Sequence, residues 1–447
     1  MSSKSPRNGR VVRNQSNGQR DATRKKSRAS FLEPFEALLT QIQTSRRADL
    51  YPFFSSADPA RSGVEEPVIL VANDYLGLAG DERVRRAAQA AIAELGTSRC
   101  ASPLAGGHTA LHRDLEVNLA AFLEQEAVAL FASGYQANVG VISALMRRED
   151  LILTDLFNHA SIVDGARLSG ADTRYFQHNS PTHLERILAE EGQGRRVLVI
   201  VEGIYSADGD IVRLPELCEA AHRHGALIMI DEAHSLGVLG KNGRGAAEHF
   251  DLLEDVDLIV GTMSKTLASV GGFVAADQSL VDAIGHSARA LIFSAALPPA
   301  GVAAALKSLE ILQAEPQRRE TLWQNAHLML EGLVKQGFDT MRSETPVIPI
   351  RVGDPIKTIE FAARLRQRGI LVCPAIPPMV QGHLSRIRAH VTAGHDPRRL
   401  EAALPVIGEV ARSLDILAKR PTKAAPTARA RAHATVRPAQ PSALRPA

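Results

Sequence analysis

Four unbroken apolar runs constrain this chain more than any other feature: AVALF (127–131), VLVIV (197–201), LIMID (227–231) and DLIVG (257–261). A strand with one wet face alternates apolar and polar residues, so continuous runs predict strands covered on both faces. Helix-length segments lie between them, among them Gln136 to Arg147 and Leu214 to His224. That alternation predicts an α/β fold: a mostly parallel central sheet built from right-handed crossovers, with helices on both faces. Ligands on such sheets bind beyond the carboxyl ends of the strands, so chemistry is sought in the residues that follow each run.

The chain divides accordingly. A large domain spans 96–298 after an N-terminal segment, 31–95. A smaller C-terminal α/β domain covers 299–418, where a long helical pattern precedes VIPIRV (347–352) and GILVCP (369–374). The ends, 1–30 and 419–447, read as disordered tails without apolar periodicity. They hold the basic charge. Nine Lys/Arg and one acid fall in residues 1–28, and seven Lys/Arg and no acid in 419–447, so the ends carry +15 of a chain whose net charge is +3. The body is therefore acidic and no nucleic-acid partner is expected for it, while contact of the tails with acidic partners or an anionic membrane surface stays open. Cys100, Cys218 and Cys373 are odd in number and form no CxxC pair, which points away from a disulfide framework or a metal site and towards a reducing, cytoplasmic setting. No apolar run reaches the roughly 18–20 residues that span a bilayer.

The chemistry gathers behind the strands. In LIMIDEAHSLG a buried strand ends in Asp231, followed by His234; a carboxylate there needs a cationic partner, such as a protonated pyridine ring, or else it caps a turn. In DLIVGTMSKTLASVGGF, Lys265 follows a strand among Thr262 and Ser264, where desolvation can activate its amine for imine formation. FASGYQANVG sets Ser133, Gly134 and Tyr135 at a strand-to-helix turn, where free amides favour a phosphate, although a plain turn explains it equally well. His159 in NHASIVDGARLSG can stack on an aromatic ring or serve as a core histidine. VEGIYSADGD places Glu202 and Ser206 at a strand end, and LSRIRAHVTAGH carries Arg386 and Arg388, whose guanidinium forks suit a substrate carboxylate.

Together these segments resemble the α-oxoamine synthases, a family of fold-type I enzymes dependent on pyridoxal 5′-phosphate (PLP). The likeness runs from about Asn73 to Leu404 and includes NDYLGL (73–78) and GTSRCASPLAGGHTALHRDLE (96–116) in the family's order. It lies closest to the serine palmitoyltransferase-like, acyl-chain branch. The resemblance implies roles: Lys265 holds PLP as a Schiff base, Asp231 pairs with the ring nitrogen, and His234 bonds the phenolic oxygen. His159 would stack on the ring; Ser133, Gly134, Tyr135, Thr262 and Ser264 would surround the phosphate. Glu202 and Ser206 would line the ring, while Asn73, His112 and Arg388 would meet substrate.

It further implies a homodimer, with IFSAALPP (292–299) reaching the partner's phosphate, and an acyltransferase. The reaction would condense a small amino acid with an acyl thioester, on coenzyme A or an acyl carrier protein, releasing CO2 and thiol. Arg99, Cys100, Pro103 and Ala207 depart from the family's pattern, which leaves the acyl donor open. An 8-amino-7-oxononanoate synthase-like activity, an aminotransferase on the same fold and a catalytically silent subunit are the alternatives.

Overall fold

In a computed structural model, residues 27–47, 67–377 and 379–417 are described, together with Arg24 and Tyr51. Most of the two segments read as disordered tails falls outside these residues; the part that falls inside, 27–30, is helical and continues to residue 32.

The apolar runs become strands of a seven-stranded sheet, three of them at its centre and AVALF at one edge. Its strands are β2 (Ala127–Phe131), β3 (Leu151–Asp155), β4 (Asp172–Phe176), β5 (Val197–Glu202), β6 (Leu227–Asp231), β7 (Leu258–Thr262) and β8 (Gly272–Ala276); β1 (Val68–Ile69) lies elsewhere. The spatial order is β2-β8-β7-β6-β5-β3-β4. Every strand but one runs parallel: β8 pairs antiparallel with both β7 and β2. The physical reason is the connection. Residues 263–271 are too few for a helical crossover, so the chain turns back beside the strand it has just left.

Alternate residues of these strands feed two cores. Val128, Leu153, Val199, Ile230 and Phe273 face the helices Glu82–Leu95, Ala110–Leu123, Leu214–Arg223 and Pro299–Ala314, while Ala129, Ile152, Ile200, Met229 and Val274 face Gly134–Leu145 and Ala160–Ser169. Burial on both faces is why the runs contain no polar alternation. The helix Pro299–Ala314, first in the segment read as the smaller domain, packs in the larger core.

A three-stranded antiparallel sheet, order β11-β12-β9, lies in the C-terminal part: β9 (Val347–Arg351), β11 (Cys373–Ala375) and β12 (Arg386–His390). The GILVCP stretch splits between two sheets. Ile370–Leu371, β10, pairs in parallel with β1, and Cys373–Ala375 joins β12. Pro374 and Pro349 have no N–H to donate, and both sit on the outer strands of the small sheet, where a missing donor costs least.

The loop 203–211 joins the two sheets. Arg386, 1% exposed, donates to Asp208 at 2.7 Å and to the Ala207 carbonyl, while Arg388 donates to the Ser206 carbonyl at 2.9 Å. Gly209 turns the loop at φ +71°, so close to β9 that a Cβ would lie 2.0 Å from the Val347 carbonyl. Beneath it, His178 donates from Nδ1 to Asp155 at 2.9 Å and from Nε2 to Asp210 at 3.0 Å. Both carboxylates accept, so the ring carries both protons. Burial opposes that charge, yet the two carboxylates outweigh it and push His178 up to about 9. A raised histidine stabilises the fold fully below its unfolded value of about 6.5 and loses that contribution as pH rises towards 9. The thermal stability gap between the wild type and His178→Gln is therefore expected to narrow between pH 6.5 and 9; a gap constant across that window would refute the imidazolium.

Candidate active site

Adjacent strand ends bring two carboxylates side by side. Glu202 and Asp231 are register partners at the carboxyl ends of β5 and β6, and both are buried. Asp231 accepts from the Asn138 amide at 2.7 Å and from the backbone of Ala233 at 2.9 Å. Glu202 accepts from the Ser206 amide at 3.2 Å, and its other oxygen is buried without a hydrogen bond of good geometry. Burial, reinforced by Asp231, pushes Glu202 up to about 8, with Lys265 opposing. Its surroundings therefore favour the protonated carboxyl.

Lys265, three residues beyond the end of β7, faces this pair. Part of its stem is open to the cleft, but its amine sits deep enough that burial pushes it down to about 8, against the pull of Asp231 and Glu202. Two histidines flank it, each held by a neighbour. Tyr75 is fully buried, its pKa raised by burial, and its hydroxyl lies 2.7 Å from His234 Nδ1. Burial and then Lys265 hold His234 well below its ordinary value, so it stays neutral. His159 caps the helix Ala160–Ser169, exposing its ring to the cleft. The Asn138 amide gives one hydrogen to Asp231 and one to Ser161 Oγ, which lies 2.8 Å from His159 Nδ1. One polar chain thus runs from Asp231 to His159.

Across the cleft floor, Ser133 caps the helix Gly134–Leu145 by accepting from Gln136. A Cβ on Gly134 would meet Thr262 at 2.9 Å, and one on Gly272 would meet the Ser133 carbonyl at 2.5 Å, so glycines let the turn seat against β7 and β8. Thr262 donates to the Gly271 carbonyl at 3.0 Å and stands 2.7 Å from the exposed Ser264 hydroxyl. Tyr135 stands edge-on to His159, 6.4 Å between centroids, with its hydroxyl bonded to Asp164. Arg388 comes from β12, its Nε buried and unpartnered.

A sequence model of aminotransferases of class I and II matches residues 65–407. An 8-amino-7-oxononanoate synthase of Thermoanaerobacter pseudethanolicus is 41% identical over 394 residues, covering 87% of this chain and all of its own length. A serine palmitoyltransferase of Bacteroides thetaiotaomicron is 39% identical over 373 residues, 82% of this chain and 95% of its own. Among solved structures, a serine palmitoyltransferase from S. paucimobilis aligns with a TM-score of 0.83 at 30% identity, over 86% of this chain and 99% of that one. The chain belongs to the α-oxoamine synthase family. It has the fold-type I architecture and is a PLP-dependent C-acyltransferase.

The α-oxoamine synthase cleft fits PLP on its own evidence. Unpartnered buried oxygens of Glu202 and Asn138 flank Asp231, and a glycine-lined turn with free helix amides stands where a phosphate needs donors. His112 is a correction to the expected substrate set. Its Nδ1 closes a capping box with Thr109, and its Nε2 lies 3.0 Å from the Leu297 carbonyl, so both nitrogens are already used in anchoring the segment 292–299. Asn73 keeps a buried unpartnered oxygen. Tyr75, Asn138 and Ser161 were not singled out from the sequence; Tyr75 and Asn138 lie within the quoted NDYLGL and FASGYQANVG segments, but their partners are 159 and 93 residues away.

An amine held near 8 loses its proton between about 8 and 10, where an ordinary lysine, at about 10.4, still keeps its own. The rate of PLP uptake by the apoprotein, followed by visible absorbance, is expected to rise with pH and level off just above 8. A rate still climbing at pH 10 would show an unperturbed amine, and Lys265→Ala should remain folded and colourless.

Proposed function

We propose that this α-oxoamine synthase joins a small amino acid, such as serine, alanine or glycine, to an acyl thioester. The α-carbon bonds to the acyl carbon, the thiol departs, the carboxylate leaves as CO2, and a proton returns to the α-carbon, leaving an α-amino ketone. PLP, when bound, supplies the electron sink for charge at that α-carbon. The residues do the rest.

Lys265 would hold the cofactor and would move the proton at the α-carbon; an amine near 8 suits a base working close to neutrality. Asp231, oriented by Asn138, keeps the ring nitrogen protonated, and His234, held by Tyr75, bonds the phenolic oxygen. His159 covers one ring face. Ser133, Gly134, Tyr135, Thr262 and Ser264 take the phosphate, and Glu202 and Ser206 close the ring's remaining edge. Asn73 and Arg388 meet the amino acid, the latter held ready by the Ser206 carbonyl. The observation that carries this reading is the Lys265 amine set against the Glu202 and Asp231 pair at neighbouring strand ends.

A homodimer is part of the reading. Phe293, 74% exposed, Leu104 and Val117 stand on the outer surface around the segment 292–299, next to a hollow of about 330 Å³ lined by His112 and Leu297. A second copy would cover them. No helix among the described residues is long and apolar enough to cross a membrane, and together with the cysteine pattern this supports a cytoplasmic setting. An 8-amino-7-oxononanoate synthase-like activity is the second reading, favoured by the sequence relatives.

With PLP, a small amino acid and an acyl-CoA, the protein should release CO2 and free thiol in equal amounts; oxo acid formed without thiol would identify an aminotransferase instead. Arg388→Ala is expected to raise the KM for the amino acid about 10- to 100-fold, the loss of a charge-assisted hydrogen bond worth roughly 1.5–3 kcal/mol. An unchanged KM would remove Arg388 from the substrate site.

A further inference from the structure

Strand β12 sends three polar side chains to one face, because alternate residues of a strand point the same way. Arg386 is spent on Asp208, and Arg388 is held by the Ser206 carbonyl. The third, His390, has no such explanation. It is 1% exposed, and neither ring nitrogen has a hydrogen-bond partner of good geometry, although the backbone of Val71 is close enough to favour the protonated ring slightly. Its backbone is fixed by pairing with Val347 and by its amide, which donates to the Leu70 carbonyl at 2.9 Å. The ring is also close enough to His234, Lys265 and Arg388 to exchange charge effects with all three.

Burial, with Arg388 adding to it, holds His390 down at about 3, so the ring stays neutral and carries one N–H donor and one lone pair. Buried polar groups are normally paired, and an orphaned ring beside a substrate cleft is a pair waiting for a ligand atom. A carboxylate could satisfy only the donor. A hydroxyl both donates and accepts, so it can pair with whichever nitrogen faces it. Positions 388 and 390 are about 7 Å apart along the strand, a span one small amino acid bridges when its carboxylate and its side chain are held at opposite ends.

We propose that His390 is a specificity-determining residue: it hydrogen-bonds the side-chain hydroxyl of the amino acid whose carboxylate Arg388 holds, and so selects a β-hydroxy amino acid over alanine or glycine. This rests on the reading that Arg388 receives the carboxylate. A site built to bond a hydroxyl rejects the analogue that lacks one, because its own polar group is then left unpaired.

The test compares the PLP-loaded wild type with His390→Gln and His390→Leu, two side chains of similar size of which only the first can donate and accept. Thiol release from acyl-CoA is measured with serine, alanine and glycine. The wild type should favour serine over alanine by about tenfold or more in kcat/KM, His390→Gln should keep most of that ratio, and His390→Leu should bring it within about threefold, chiefly through the KM for serine. A ratio unchanged in His390→Leu overturns the proposal alone. So does an equal loss with all three amino acids, or a loss of visible absorbance, since either would place the ring at the carboxylate or the cofactor. A wild type that binds PLP but releases thiol with no amino acid overturns the function itself and this proposal with it.

Discussion

Two carboxyl groups at neighbouring strand ends, with one lysine amine opposite, set the terms for everything around them. Like charges so close in a buried place cannot both be kept ionised cheaply. The fold treats them unequally: Asp231 accepts from the Asn138 amide and the Ala233 backbone, whereas burial, reinforced by Asp231, pushes Glu202 up. That asymmetry favours a proton on Glu202. Asn138 extends it, since the same amide that serves Asp231 also fixes Ser161 and, through it, His159. A change at any member of this chain would be felt at the other end.

The second dependence is mechanical. The chemistry belongs to the large sheet, but Arg388 and His390 arrive on the small one, and the loop 203–211 is what couples the two. Its lower side is held by the His178 imidazolium between Asp155 and Asp210, and its upper side by Arg386 on Asp208. Ser206 is the point of transfer: its amide bonds Glu202 and its carbonyl bonds Arg388, so a group of the large sheet and a group of the small one are tied to the same residue.

What could be read from the chain alone follows from where burial leaves a local mark. β2, β5, β6 and β7 were legible because strands covered on both faces must be apolar throughout, and Asp231, Glu202 and Lys265 drew notice because they stand at or just past the carboxyl ends of such strands. β4, with the sequence DTRYF, is fully buried only at Phe176, unlike the other edge strand β2, which is buried along its whole length, so it leaves no apolar run. The reversal of β8 depends on a short connection, a matter of geometry and not of composition. Tyr75, Asn138 and His390 act through contacts distant in sequence, and no local pattern announces them. His112 misled for a related reason, since its place in a motif says nothing of the capping box and the Leu297 carbonyl that occupy it.

The pairing of Val68–Ile69 with Ile370–Leu371 bears on how the molecule is made. As the ribosome delivers the chain, the seven large-sheet strands emerge and can associate while the partner of β1 is still untranslated. Contacts between such distant stretches are slow to form. The strand that carries Arg388 and His390 follows later still, so a nascent chain can assemble its lysine and carboxylates well before the opposite wall of the cleft exists.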